Sequence, residues 1–205
     1  MRSVNFNEVE ATTEGSTYQQ LPAGAYVCSI MSMEDFPLDP ATGKGDYVRM
    51  MVDIIQGEHA NYFSDKFYAD KPWSHSLVLS YKDNALGMLK GRLQTIAGCN
   101  PGFDPEAAWN AGNLNMFVGK AVGVVFRAEE YLDKKTGEFK LGSPKPDRMC
   151  LLTDLMDPKN ADPLPKTLKD DVKRQMLKDA GFSPVLDKSG GAAPQVDLYA
   201  EDVPF

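Results

Sequence analysis

Asn84-Ala85-Leu86-Gly87-Met88-Leu89-Lys90-Gly91-Arg92-Leu93-Gln94-Thr95-Ile96-Ala97-Gly98 is the stretch on which the fold turns. Leu86, Leu89, Leu93 and Ile96 recur at spacings of three and four, the period of an amphipathic helix, and Gly98 is a fitting helix end. Three segments before it read as strands. Residues 25–33 alternate well enough for a half-buried strand. Residues 47–55 make a second, with Arg49 and Asp53 on the opposite face from Val48, Met50 and Val52. The turn-rich run Asp39-Pro40-Ala41-Thr42-Gly43-Lys44-Gly45 joins the two into a hairpin. Residues 60–68, with one aromatic-rich face, are the expected third strand. Beyond the helix, residues 117–131 read as a strong strand, 133–137 as a turn, 138–141 as the return, and 148–152 as a closing strand.

Three strands, a helix and then further strands is the order of an OB-fold. The chain is therefore expected to be mainly β, a five-stranded barrel with one helix after the third strand and an extended or disordered C-terminal tail. The expected organisation is a flexible lead-in over residues 1–17, the barrel over 18–156, a connecting segment with a short helix over 157–188, and a linker with an acidic tip over 189–205. Pro158, Pro163 and Pro165 break regularity in the connecting segment. Its Leu168, Val172, Met176 and Leu177 form a stripe suited to docking on the core or to a contact between copies of the chain, so a homo-oligomer is one reading.

At 205 residues and 42% hydrophobic content the chain can hold one sizeable core with appendages. No apolar run approaches the ~18 residues that span a bilayer. The first residues carry Glu8, Glu10 and Glu14 and no apolar core of a signal peptide, so a cytoplasmic protein without a membrane partner is expected. Cys28, Cys99 and Cys150 are isolated, which indicates neither a disulfide framework nor a zinc knuckle but small core residues. The net charge of −7 sits at the two ends. Residues 1–40 carry one base against six acids, residues 41–150 carry 14 against 13, and residues 151–205 carry seven against ten. A near-neutral middle allows a cationic groove on one face but no strong basic field.

The chain closes on Gln195-Val196-Asp197-Leu198-Tyr199-Ala200-Glu201-Asp202-Val203-Pro204-Phe205, after Ser189-Gly190-Gly191-Ala192-Ala193-Pro194. A terminal Phe with its carboxylate, a stiffening Pro and upstream acids suit end-capture by a basic patch. Glu201, Asp202, Val203, Pro204 and Phe205 resemble the acidic tip of bacterial and phage single-stranded DNA-binding proteins. A second resemblance runs across roughly residues 21–152, through Leu21-Pro22-Ala23-Gly24-Ala25-Tyr26, Asp53-Ile54-Ile55-Gln56-Gly57-Glu58, the run from Gly119 to Tyr131, and Lys135-Thr136-Gly137-Glu138. That pattern is similar to phage early-region proteins associated with single-strand binding or recombination. The resemblances imply an OB-fold that binds single-stranded DNA and a tip that recruits replication, recombination and repair enzymes, in the host cytoplasm if the chain is phage-encoded.

Single-strand binding without sequence reading needs aromatic faces for bases and cations along the backbone. The chain interleaves them: Tyr47 with Arg49, Tyr62 with Lys66, Phe67 and Tyr68 with Lys71 and Trp73, Phe126 with Arg127, and Tyr131 with Lys134 and Lys135. Trp73, in a loop, is the best stacking candidate. Arg49, Lys66 and Arg127 are the best phosphate candidates, and the hairpins around Gly43 and Gly137 are where fingers would reach over DNA. Many of these rings are equally suited to the core. An enzyme reading finds little support: His59 and His75 have no metal-ligand spacing, and the adjacent pairs Glu129-Glu130 and Asp170-Asp171 diverge. No catalytic residue, metal or cofactor is expected. The rival readings are a β-barrel that binds another protein without DNA and, less well supported, a recombination or nuclease accessory enzyme.

Overall fold

The alternation in residues 47–54 is realised as a strand whose inward side chains Val48, Met50, Val52 and Ile54 are fully buried. The computed structural model describes residues 20–64, 66–68 and 70–182. Its strands are β1 (Gly24–Phe36), β2 (Tyr47–Ile54), β3 (Ser76–Ser80), β4 (Ala121–Arg127), β5 (Glu130–Asp133), β6 (Glu138–Leu141) and β7 (Lys145–Cys150). Five of them form one sheet in the order β3-β2-β1-β4-β7, and β3 meets β7 across the remaining gap, so the sheet is a nearly closed barrel. This is the mainly β, five-stranded fold expected from the sequence, with helix α1 (Leu86–Cys99) after the third strand.

Closure depends on β1, which serves two partners. Gly24 to Ser29 pair with β4, and Cys28 to Phe36 pair with β2. A bulge between Ile30 and Ser32 bends the strand between these two duties and leaves Met31 half exposed. Helix α1 covers one end of the barrel with Leu89, Leu93 and Ile96, while Leu86, in its first turn, stays exposed. The helix ends at Asn100, whose side-chain amide donates to the carbonyls of Ile96 and Ala121 and accepts from Ala121 N–H. One side chain thus caps the helix and fixes the start of β4. The core joins these residues to Cys28, Ile30, Leu77, Leu79, Phe117, Val122, Val124 and Phe126, each fully or nearly fully buried. Cys28 and Cys150 are buried and Cys99 half-buried, all as free thiols.

Two strand assignments need correction. Residues 60–68 are not the third strand: they form short 3-10 turns over Tyr62–Ser64 and Lys66–Tyr68, and a third turn, Pro72–Ser74, precedes the true third strand β3. The cause lies in β2. Asp53 accepts hydrogen bonds from the N–H of Ile54 and Phe63 and from the Ser64 hydroxyl, which holds the following chain in turns. The expected long strand over 117–131 is also shorter. Phe117 closes a turn (Leu114–Phe117), β4 begins only at Ala121, and after Arg127 the chain leaves β1 to pair with Lys166. Backbone bonds from Lys166 N–H to Ala128 O and from Glu130 N–H to Lys166 O make that detour.

The pattern did not announce helices α2 (Pro105–Asn110) and α3 (Pro158–Ala161). Both start with an Asp side chain, Asp104 or Asp157, accepting a backbone N–H ahead of a Pro in the first turn. Helix α4 (Asp170–Asp179) fills the expected short helix. Among the described residues the chain forms two compact units. One is the barrel with its connections through Tyr131 and again over Lys140–Thr167; the other is the hairpin tip Leu132–Phe139 with the chain from Leu168 on. Within the second unit the Lys173 ammonium lies over the Phe139 ring and the Phe182 ring packs at Gly137. No helix among the described residues is long and apolar enough to cross a membrane.

Candidate functional site

The turns between β2 and β3 build one wall of a groove, and Asp53 is the reason they can. Its carboxylate is nearly fully buried yet satisfied by three donors, so the turn segment is tied to the barrel. Phe63 then enters the core, stacked between His75 (centroids 5.0 Å) and Phe126 (5.5 Å). Tyr62 packs on Phe63 and Tyr68, and its hydroxyl accepts from Leu21 N–H at 2.9 Å, which fastens the chain entering β1. Burial pushes both phenol pKa values up and holds the His75 imidazole below its ordinary value, against a smaller opposing pull from Asp53.

Outside this packed layer the rings are open. Phe67 is 50% exposed, Trp73 61% and Tyr131 47%. They line one groove of about 520 Å³ with Tyr62, Tyr68, Lys71 and Ser74, and with Glu129, Glu130, Ser143, Pro144 and Lys145 from the segments flanking the β5–β6 hairpin. The Lys71 ammonium lies 3.0 Å from the Phe67 ring centroid, a cation–π contact at the groove itself. Glu129 is paired with Lys166 at 2.6 Å. Such a groove offers flat apolar faces, two ammonium groups, two carboxylates and hydroxyls, and suits a planar ligand with polar edges.

Of the residues singled out in the sequence, Tyr62, Tyr68, Lys71, Trp73 and Tyr131 therefore come together. Others do not. Tyr47 and Arg49 lie toward the other end of β2, about 17 and about 10 Å along the strand from Val52, where the chain leaving the Pro72–Ser74 turn joins it. Tyr47 stacks on Phe36 at 5.1 Å, and the Arg49 guanidinium lies over the same Phe36 while pairing with Glu34. Arg127 is bound to Asp147 at 2.7 Å in a half-buried pair. Lys134 and Lys135 sit exposed in the hairpin turn of the second unit. Lys66 starts a turn of the groove wall, but its side chain, like the acidic tip from Glu201 to Phe205, lies outside the described residues.

Two participants escaped the sequence reading. Lys145 carries no local motif; its place follows from β7 starting three residues before the expected strand. Asp53 looked like an outward residue of an alternating strand, and only the covering turns make it an organiser. Among the described residues no group of three or more His, Cys, Asp or Glu is placed to hold a metal ion. In comparisons with known proteins, no family model matches this chain and no curated protein shows significant similarity to it.

Proposed function

We propose that the protein binds single-stranded DNA, without reading its sequence, in the aromatic groove between the β2–β3 turns and the start of β5. One observation carries the reading: three half-exposed rings, Phe67, Trp73 and Tyr131, converge with Lys71 and Lys145 in a single groove. Unpaired bases present both π faces, whereas in a duplex those faces are stacked away, so such a groove favours the single strand. The five-stranded barrel with its helix after the third strand is compatible with an OB-fold, an architecture suited to this task. The ending from Glu201 to Phe205, by its resemblance to partner-recruiting tips, adds a second part: enzymes of replication, recombination or repair are gathered at the bound strand.

The test is fluorescence anisotropy of a labelled oligo-dT of about 30 nucleotides, beside the matching duplex, against the protein and its Trp73→Ala variant. Binding to the single strand alone, weakened in the variant, supports the reading. Absence of single-strand binding at low salt overturns it in favour of a barrel that binds another protein.

A further inference from the structure

We infer that the groove is a stacking site for about two unpaired bases, held more by ring faces than by phosphate contacts. This rests on the single-strand reading and adds the length and chemistry of the ligand. Trp73 and Tyr131 are lining rings with about half or more of their surface open, and each can take one base, whereas the Phe67 ring already carries the Lys71 ammonium on its face. The charges agree. Among the described lining residues there are two cations, Lys71 and Lys145, beside the carboxylates Glu129, which is paired with Lys166, and Glu130, and the whole chain carries −7. The Lys71 ammonium is itself held over Phe67.

A lining with only two cations, one of them held over a ring, displaces few counterions from a strand. With two cations the log–log salt slope is about −1.4, a loss of about sevenfold between 50 and 200 mM salt, where six to ten phosphate contacts to a single strand would lose about 300-fold or more. The barrel's other cation–ring groups do not lengthen the footprint. Tyr47 is stacked on Phe36, Arg49 is held by Phe36 and Glu34, and Arg127 is held by Asp147.

The experiment titrates the full chain against end-labelled oligo-dT of about two to ten nucleotides and labelled abasic phosphodiesters of the same lengths, read by fluorescence anisotropy, at about 50 and 200 mM salt. Affinity should level off at about two to three nucleotides apart from the gain from extra registers, and fall about sevenfold with salt. Abasic chains should bind at least about tenfold more weakly; Trp73→Ala and Tyr131→Ala should each cost about tenfold, and Arg49→Ala less than about twofold. A salt loss of about 300-fold or more, equal binding of abasic chains, or affinity still climbing at ten nucleotides would overturn the inference while leaving the single-strand reading in place. No binding of any oligonucleotide at low salt removes both.

Discussion

At the residue scale, Asp53 and His75 decide whether the groove wall exists. Replacing Asp53 by Ala strands the buried N–H of Phe63 and the Ser64 hydroxyl. The expected cost is about 2–4 kcal/mol in urea unfolding, while Asp53→Asn, which keeps one acceptor oxygen, costs about 1 kcal/mol. Equal losses for the two variants would show that charge, not acceptor geometry, is what matters. His75 is buried against Phe63 and held below its ordinary pKa of 6.5, mainly by desolvation. Its unfolded form therefore binds a proton more readily than its folded form. Stability is full above about 6.5 and declines as pH falls from there toward the lower folded value. The melting temperature should drop between pH 7 and 5, and His75→Phe should flatten that slope; an unchanged slope would assign it to other groups. Near His75, Asp53 favours its proton, and Ser74 Oγ lies 3.0 Å from its Nδ1.

At the element scale, the close pairing of β4 with β7 is set by Gly123. A Cβ there would stand 2.7 Å from the Cys150 carbonyl oxygen and 2.8 Å from its Sγ, so β7 lies as close as it does because Gly123 has no side chain. Gly123→Ala should cost about 1–3 kcal/mol, with faster amide exchange on β7 than on β2. Uniform exchange across both strands would mean a general loosening instead. Strand β2 and helix α1 were legible because their burial is one-sided, and one-sided burial writes a period into the sequence. The third strand was not: Ser76–Ser80 is only five residues long, whereas the aromatic run before it looks more strand-like. Those aromatics are packed on one another and tied to Asp53, a tertiary constraint that no local pattern carries. The same holds for the site. Trp73 stood out because a Pro precedes it in a loop, but the commitments of Arg49 to Glu34 and of Arg127 to Asp147 depend on strand register.

At the scale of the whole molecule, all lining residues of the groove belong to the unit that holds the barrel. Removing Leu168–Phe205 should therefore leave oligonucleotide affinity within about twofold, measured by Trp73 quenching, while uncovering Phe139 of the hairpin tip. A larger loss would place part of the binding surface in the second unit. Tryptophan is a usable reporter because there are two: Trp109 is half-buried against Tyr81 and Phe117, while Trp73 is open. The groove wall is hooked to β2 through Asp53 and to the chain entering β1 through the Tyr62 hydroxyl. These two bonds hold the wall without a ligand, so capture is expected to need no closing movement. Tight and weak ligands should arrive at similar speed and differ in how long they stay, so residence time, not arrival rate, would separate them.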